Sequence, residues 1–412
     1  MTEVFVAGVG MTSFGKFPQL SIKALTSEAV GSARGDAGAS IPDVEAVFFG
    51  NVSQGVMDGQ QLIRGQVAMQ PLGIGNTAVI NVENACATGG TALHQAYAYL
   101  RAGMGDVVLA VGAEKMYSPD RTRIAPVFEG GWDVDDVPAI LNGLATIGRG
   151  VESPYAEIGE PEAPTTFMGI YACLARSHMR RFGLTVGQLA AVAEKNHRHA
   201  LLNERAQYRI SLTAEDILRA PVVAWPLTLP MCSPISDGAA AAVVCTRGGL
   251  NRLRTNRPLV QILASSLGSG TARGAEDLEH HVARRVASRA YETAGVGPED
   301  MSIAEVHDAS AFAEVLQTEN LGFCETGQGG WCAERGETTL GGRIPVNPSG
   351  GLESKGHPIA ATGLAQIYEL VTQLRGEAGT RQVPGARLAI AENGGGFHKV
   401  EEAAVCVTIL GR

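Results

Sequence analysis

The chain of 412 residues predicts an α/β protein built as two similar halves. Three observations carry this expectation. Apolar runs of strand length alternate with amphipathic runs of helix length along most of the sequence. The order of these runs in the first half returns in the second, the sign of an internal duplication. The residues with the most chemical capability stand where apolar runs end and small-residue loops begin, and open α/β sheets hold ligands at strand ends.

Taken in order, residues 4–9 read as a strand, 22–33 have helical spacing, and 45–49 lead into a second strand. Residues 77–82 form a third apolar run, which breaks at Glu83 and Asn84. Cys86 follows, then a small-residue run at 87–90, a helical pattern at 92–102 and a strand at 107–111. From about 117 to 230 the composition shifts, with segments such as GGWDVDD and PEAPTT and two helical patterns at 166–181 and 186–202. This stretch reads as an inserted loop domain with its own helices, a kind of segment that covers a site and shapes entry to it. SDGAAAAVVC, residues 236–245, is a turn running into a buried strand that returns the chain to the core of the first half, residues 1–250.

The second half, residues 251–412, opens with a strand at 259–264 and a helix at 280–294. A strand at 303–306 ends at His307-Asp308, and a helix at 312–321 follows. VNPSGGLESKGHPIAATG, residues 346–363, stands where the Cys86 segment stood in the first half, and it too opens a helix, 363–375. A strand at 388–391 ends in ENGGG, and 403–410 is the last strand.

Composition excludes several function classes. With 45% hydrophobic and 18% charged residues the chain is globular. A net charge of −9 without a basic stripe argues against nucleic acid as a partner. No apolar run reaches the roughly 18–20 residues that span a bilayer. The start, MTEVFVAGVG, lacks a basic leader and reads as a strand, so the expected compartment is the cytoplasm. The seven cysteines have no regular spacing and no CxxC pair, so neither a disulfide framework nor a metal site is expected in this chain.

Cys86 lies between a strand end and a helix start. Free N–H groups of a first helical turn favour a thiolate and can hold an oxyanion, and small neighbours let a carbonyl approach the sulfur. The competing reading is a buried small hydrophobe, the common state of a free cysteine. His357 sits in a loop fixed by Gly350, Gly351, Gly356 and Pro358. His307 ends a strand, and Asn393 to Gly396 offer bare backbone. A cysteine, a histidine able to take its proton and backbone donors are the parts of a thiol acyl-transfer site. His94, His178, His197, His199, His280 and His281 lie in helical patterns and are expected to pack or face solvent, and His398 is left open.

NACATGG, SDGAAAAVV, HDAS, NPSGGLESKGHPIAATG and GGG, in this order and spacing, resemble the thiolase superfamily over nearly the whole chain. The likeness is nearest to the sterol-carrier-protein type, through His307-Asp308 and the long block from Asn347 to Ala386. The resemblance implies a thiolase fold, with two duplicated halves in a five-layered α/β/α/β/α arrangement and an inserted loop domain. It implies that Cys86 accepts the acyl group, that His357 activates it, and that His307 helps bind the thioester oxygen. Gly394 and Gly395, in the final glycine run, would give backbone donors to an oxyanion hole. One departure stands out. The second cysteine that such enzymes use at the substrate α-carbon is replaced by Ala309 after the HD pair, and by Glu392 or Asn393 before the glycines.

The implied reaction is cleavage of a 3-oxoacyl-CoA with coenzyme A as co-substrate, through an acyl-cysteine. The implied assembly is a homodimer, with a small zinc-ribbon/OB-fold subunit as in atypical members of this group. The missing second cysteine points toward the members that take branched or aromatic substrates such as benzoylsuccinyl-CoA. The alternatives are a retro-aldolase acting on a steroid side chain as its 3-hydroxyacyl-CoA, against which Cys86 counts, and a non-catalytic lipid-binding subunit, against which the Cys86/His357 pair counts.

Overall fold

The computed structural model describes residues 2–151, 153 and 166–412; the PEAPTT segment, apart from Thr166, lies outside them. The strands are β1 (Val4–Met11), β2 (Ala46–Gly50), β3 (Ala78–Val82), β4 (Val107–Glu114), β5 (Gly238–Thr246), β6 (Val260–Ser269), β7 (Ile303–Glu305), β8 (Leu388–Gly395) and β9 (Ala404–Gly411). They line up in one sheet in the order β3-β2-β4-β5-β1-β6-β9-β8-β7. The principal helices are α1 (Ile22–Ala37), α2 (Thr88–Arg101), α3 (Thr166–Phe182), α4 (Val186–Ala200), α5 (Val282–Ala294), α6 (Ala311–Asn320) and α7 (Thr362–Arg375).

The strand order shows the duplication. In the first half β1 runs antiparallel to β5, β5 antiparallel to β4, and β4 parallel to β2. In the second half β6 runs antiparallel to β9, β9 antiparallel to β8, and β8 parallel to β7. The halves meet where β1 and β6 pair antiparallel at Phe5–Gln261 and Val6–Val260. Even β3, parallel to β2, has its counterpart, a single parallel bridge from Ala304 of β7 to Val346.

The apolar side chains sort into layers. One cluster joins α1 to the outer face of the first half-sheet, and another joins α5 to the outer face of the second. Between them a central cluster takes in α2, α7 and the inner faces of both half-sheets. This is the five-layered order. The two central helices touch through glycines: a Cβ on Gly363 would lie 2.3 Å from the Gly90 nitrogen, and one on Gly89 would lie 2.8 Å from the Ala360 oxygen. Here a side chain is excluded by backbone. The same contact explains why α2 begins at Thr88 and not at residue 92: packing against the other half holds Gly89 and Gly90 in a helix that their propensity opposes.

A fourth cluster joins α3, α4 and α6 to a short hairpin, Val222–Ala224 with Leu227–Thr228. It makes the insertion a core-bearing unit packed on the second half. No helix of the described residues is long and apolar enough to cross a membrane.

Candidate active site

The turn before α2 presents Cys86. Ala85 has a positive φ of 47°, and the Ala87 N–H donates to the Asn84 carbonyl at 3.0 Å. The Thr88 hydroxyl donates to the Ala85 carbonyl at 2.6 Å and accepts the Asn84 N–H at 2.8 Å. The second half completes the turn. Asn393 Nδ2 donates to the Cys86 carbonyl at 3.0 Å, and Asn393 Oδ1 accepts the Gly90 N–H at 3.0 Å. A Cβ on Gly395 would lie 2.3 Å from the Ala87 nitrogen and 2.8 Å from that of Cys86, so only glycine lets β8 end against this turn.

His357 Nε2 lies 3.3 Å from Cys86 Sγ. Its other ring nitrogen lies 2.7 Å from Thr362 Oγ1, and that hydroxyl lies 3.1 Å from the Pro358 carbonyl. A carbonyl only accepts, so when the Thr362 hydroxyl donates to Pro358, Nδ1–H donates to Thr362. The tautomer is thereby set with a bare Nε2 facing the sulfur. The His357 N–H donates to Ser236 Oγ at 2.9 Å, and Ser236 donates to Gln207 Oε1 at 2.6 Å. Thr362 and Ser236 were not singled out by sequence reasoning, although both lie in motifs it quoted.

His307 is buried with its ring edge-to-face to that of His357, centroids 5.2 Å apart. Both of its ring nitrogens lack a hydrogen-bond partner among the described residues. Sγ of Cys86 and the nearest ring nitrogens of His307 and His357 lie within 4.8 Å of one another. Gly394 and Gly395 lie inside β8, paired with Val405 and Ala404. The N–H groups that reach the sulfur are those of Gly396, a residue with φ 63°, and of Cys86 itself.

The electrostatics correct one expectation. Cys86 is not a resting thiolate: burial first, then the Glu114 and Glu83 carboxylates, push its thiol up to about 12, against the pull of the Gly396 N–H. Its position two residues before α2 gives too little helix-end stabilisation to offset that. Burial lowers His307 to about 4 and holds His357 well below its ordinary range, the latter helped by His307 and Lys355. The pair at rest is a thiol beside a neutral imidazole, and the proton must move during attack.

The other histidines have structural partners or face solvent. His178 meets Glu319 at 3.0 Å, His199 meets the Asn347 carbonyl at 3.0 Å, and His94 meets Ser265 at 3.1 Å. His197 meets the Pro230 carbonyl at 3.3 Å, His280 is exposed beside Asp277, and His398 is exposed. His281 precedes α5 and caps it, accepting the Ala283 N–H at 3.2 Å.

With this geometry in view, sequence comparison decides the family. Residues 4–248 match the thiolase N-terminal domain and 266–412 match the thiolase C-terminal domain-like family. The chain belongs to the thiolase family. This thiolase is 40% identical to an acetyl-CoA acetyltransferase of Methanothermobacter thermautotrophicus, over 96% of this chain and 97% of that one. It is 35% identical to sterol carrier protein 2 of Bos taurus (95% and 70%) and 32% identical to the benzoylsuccinyl-CoA thiolase subunit BbsB of Thauera aromatica (96% and 95%). Among solved structures, the Ltp2-ChsH2(DUF35) aldolase shares its fold with TM-score 0.76 at 24% identity, covering 99% of this chain and 97% of that one. The thiolase is thus an acyltransferase.

Proposed function

We propose that this thiolase cleaves a 3-oxoacyl-CoA with coenzyme A through an acyl group carried on Cys86. The observation that carries the reading is His357 Nε2, 3.3 Å from the Cys86 sulfur, with the other ring nitrogen held 2.7 Å from Thr362 Oγ1. In the cleavage direction Cys86 Sγ attacks the 3-keto carbon while its proton passes to His357. The bond between C2 and C3 breaks, and its electron pair leaves as the enolate of a shorter CoA thioester. The neutral His307 ring, with both nitrogens unpartnered, is suited to donate a hydrogen bond to the thioester oxygen. The N–H groups of Cys86 and of the Gly394 to Gly396 run supply the other oxyanion hole, Gly396 being the one of the run whose N–H reaches the sulfur. Coenzyme A then takes the acyl group from Cys86.

The reading includes two halves meeting near residue 250, with a loop domain at about 117–230 in the first. It also includes a homodimer formed through the open edge of β3, whose residues are exposed or half-buried. A small zinc-ribbon/OB-fold subunit is part of it, supported by a DUF35-containing complex among the fold neighbours and a relative named as a subunit. A branched or aromatic acyl chain of the benzoylsuccinyl kind is the substrate class favoured.

The decisive experiment is trapping of the acyl-enzyme. Incubation with acetyl-CoA should add one acetyl group, mapped by peptide mass spectrometry to Cys86. Cys86→Ser should fold, bind CoA and show no thiolysis, because an alcohol without a strong base is a far weaker nucleophile than a thiolate. Thiolysis by the serine variant would end this reading.

A further inference from the structure

Thiolysis leaves an enolate that needs a proton, and the geometry commits His357 to the sulfur. We propose that the Glu392 carboxyl is the acid and base at the substrate α-carbon in this enzyme, an inference that rests on the acyl-transfer reading above. Glu392 is fully buried within β8, three residues before its end and one residue before the Asn393 side chain that holds the Cys86 carbonyl. Its Oε2 accepts the backbone N–H of His307 at 2.9 Å, which ties it to the second histidine of the site. Its Oε1 has no hydrogen-bond partner among the described residues. That oxygen is turned along the strand toward the glycine run: a Cβ on Gly394 would lie 3.3 Å from it. An unpartnered buried carboxyl oxygen is costly unless a ligand or a function uses it.

The surroundings keep this carboxyl protonated at neutral pH. Burial, then the Glu402 charge and more weakly Asp308, push it up to about 8, against the His307 N–H. Glu402 is itself raised to about 7 by burial, although Gln317 donates to it at 2.7 Å. His281 accepts at Nδ1, so its Nε2–H faces Glu402 Oε2 at 3.5 Å. Burial raises Tyr171 and the Cys406 thiol, and an ionised Glu392 would raise both further. A carboxyl near 8 is matched to giving and taking protons at neutral pH, as an ordinary carboxylate is not.

The protons balance over a cycle. The Cys86 thiol proton passes to His357 as sulfur attacks. The enolate carbon takes the Glu392 proton as its C–H bond forms. When coenzyme A attacks the acyl group, its thiol proton returns to the Glu392 carboxylate, and the departing Cys86 sulfur recovers its proton from His357.

The test follows deuterium wash-in at C2 of acetyl-CoA, with acetylation of Cys86 measured separately by mass. Glu392→Gln keeps an acceptor for the His307 N–H but carries no titratable proton. It should lose about 10²–10⁴-fold in exchange, and acetylation of Cys86, which draws on the Glu392 proton for the departing CoA sulfur, should slow as well. Proton abstraction needs the carboxylate, so wild-type exchange should rise with pH to a plateau above about 8. Glu402→Gln removes the neighbouring charge and should move that rise to lower pH. Exchange by Glu392→Gln at the wild-type rate, or a rise unmoved in Glu402→Gln, overturns the proposal. Should Glu392→Gln fail to fold, the shift in Glu402→Gln decides alone. Failure of wild-type Cys86 to acetylate would instead overturn the acyl-transfer reading beneath it.

Discussion

The segment before α2 and the segment before α7 occupy equivalent places in the two halves, yet they are treated in opposite ways. In the first, β3 is a full strand of five residues paired on one side only, exposed or half-buried throughout, and it delivers Cys86 within four residues of its end. In the second, the matching strand has shrunk to the bridge at Val346, and a long loop with a π-type turn at Gly351–Lys355 leads to His357. Residues 344–363 are buried throughout. The insertion makes the difference. From α4, Lys195 donates to the Val346 carbonyl at 2.8 Å and His199 lies 3.0 Å from the Asn347 carbonyl, with Asn203 just beyond donating to that of Ser349 at 2.8 Å. The chain closes one edge of the duplicated sheet with its own helices and leaves the other open. A bare edge is a template for another chain. Duplication therefore supplied two similar platforms, and covering one of them leaves Cys86 on the open side and places His357 with a buried network on the closed side.

Removing the cover from the closed edge should have the largest effect. Lys195 is buried and lies 2.7 Å from Glu314, whose other oxygen accepts from Asn196 and Asn347, each at 2.9 Å. Asp308 and Glu353 share the same cluster through Asn196. Lys195→Met would leave three buried carboxyls without their cation and should cost about 3–5 kcal/mol of stability. Denaturant titration measures this; a loss under about 1 kcal/mol would mean that the network does not hold the closed edge.

A smaller effect separates packing from chemistry within the closed segment. Thr362→Val keeps the shape of the residue and removes the oxygen that sets the His357 tautomer. One net hydrogen bond is worth about 1 kcal/mol. Acetylation of Cys86 should slow about fivefold while KM for acetyl-CoA is unchanged. An equal rise in KM, or no change in rate, would show that Pro358 and Ser236 position the imidazole without Thr362.

The open edge should respond most gently in fold and most visibly in assembly. Ile80 lies on β3 and is 37% exposed. Ile80→Arg places a charge on that edge and should convert dimer to monomer in light scattering with little change in melting temperature. A wild-type chain that is already monomeric and active would remove the open edge as an interface.

Much of this was legible in one dimension. The alternation of apolar and helical runs located every strand of the large sheet, because a buried strand and an amphipathic helix leave different periodicities. The small-residue motifs marked Cys86, His307 and His357 as candidates, because close backbone approach permits only glycine or alanine, and those residues are visible in any sequence; the fold brings these three together. What sequence could not supply was the environment. The start of α2 at Thr88 depends on glycines pressed against a helix far along the chain. The Cys86 thiol is high because Glu114, from β4, and burial by the whole molecule outweigh a helix end two residues away. Glu392 is marked in sequence only as one of three positions where the second cysteine is missing, and folding is what sets it against His307 and Glu402. Residue type and local backbone are properties of neighbours in sequence. Proton affinity is a property of neighbours in space, and only the tertiary structure decides those.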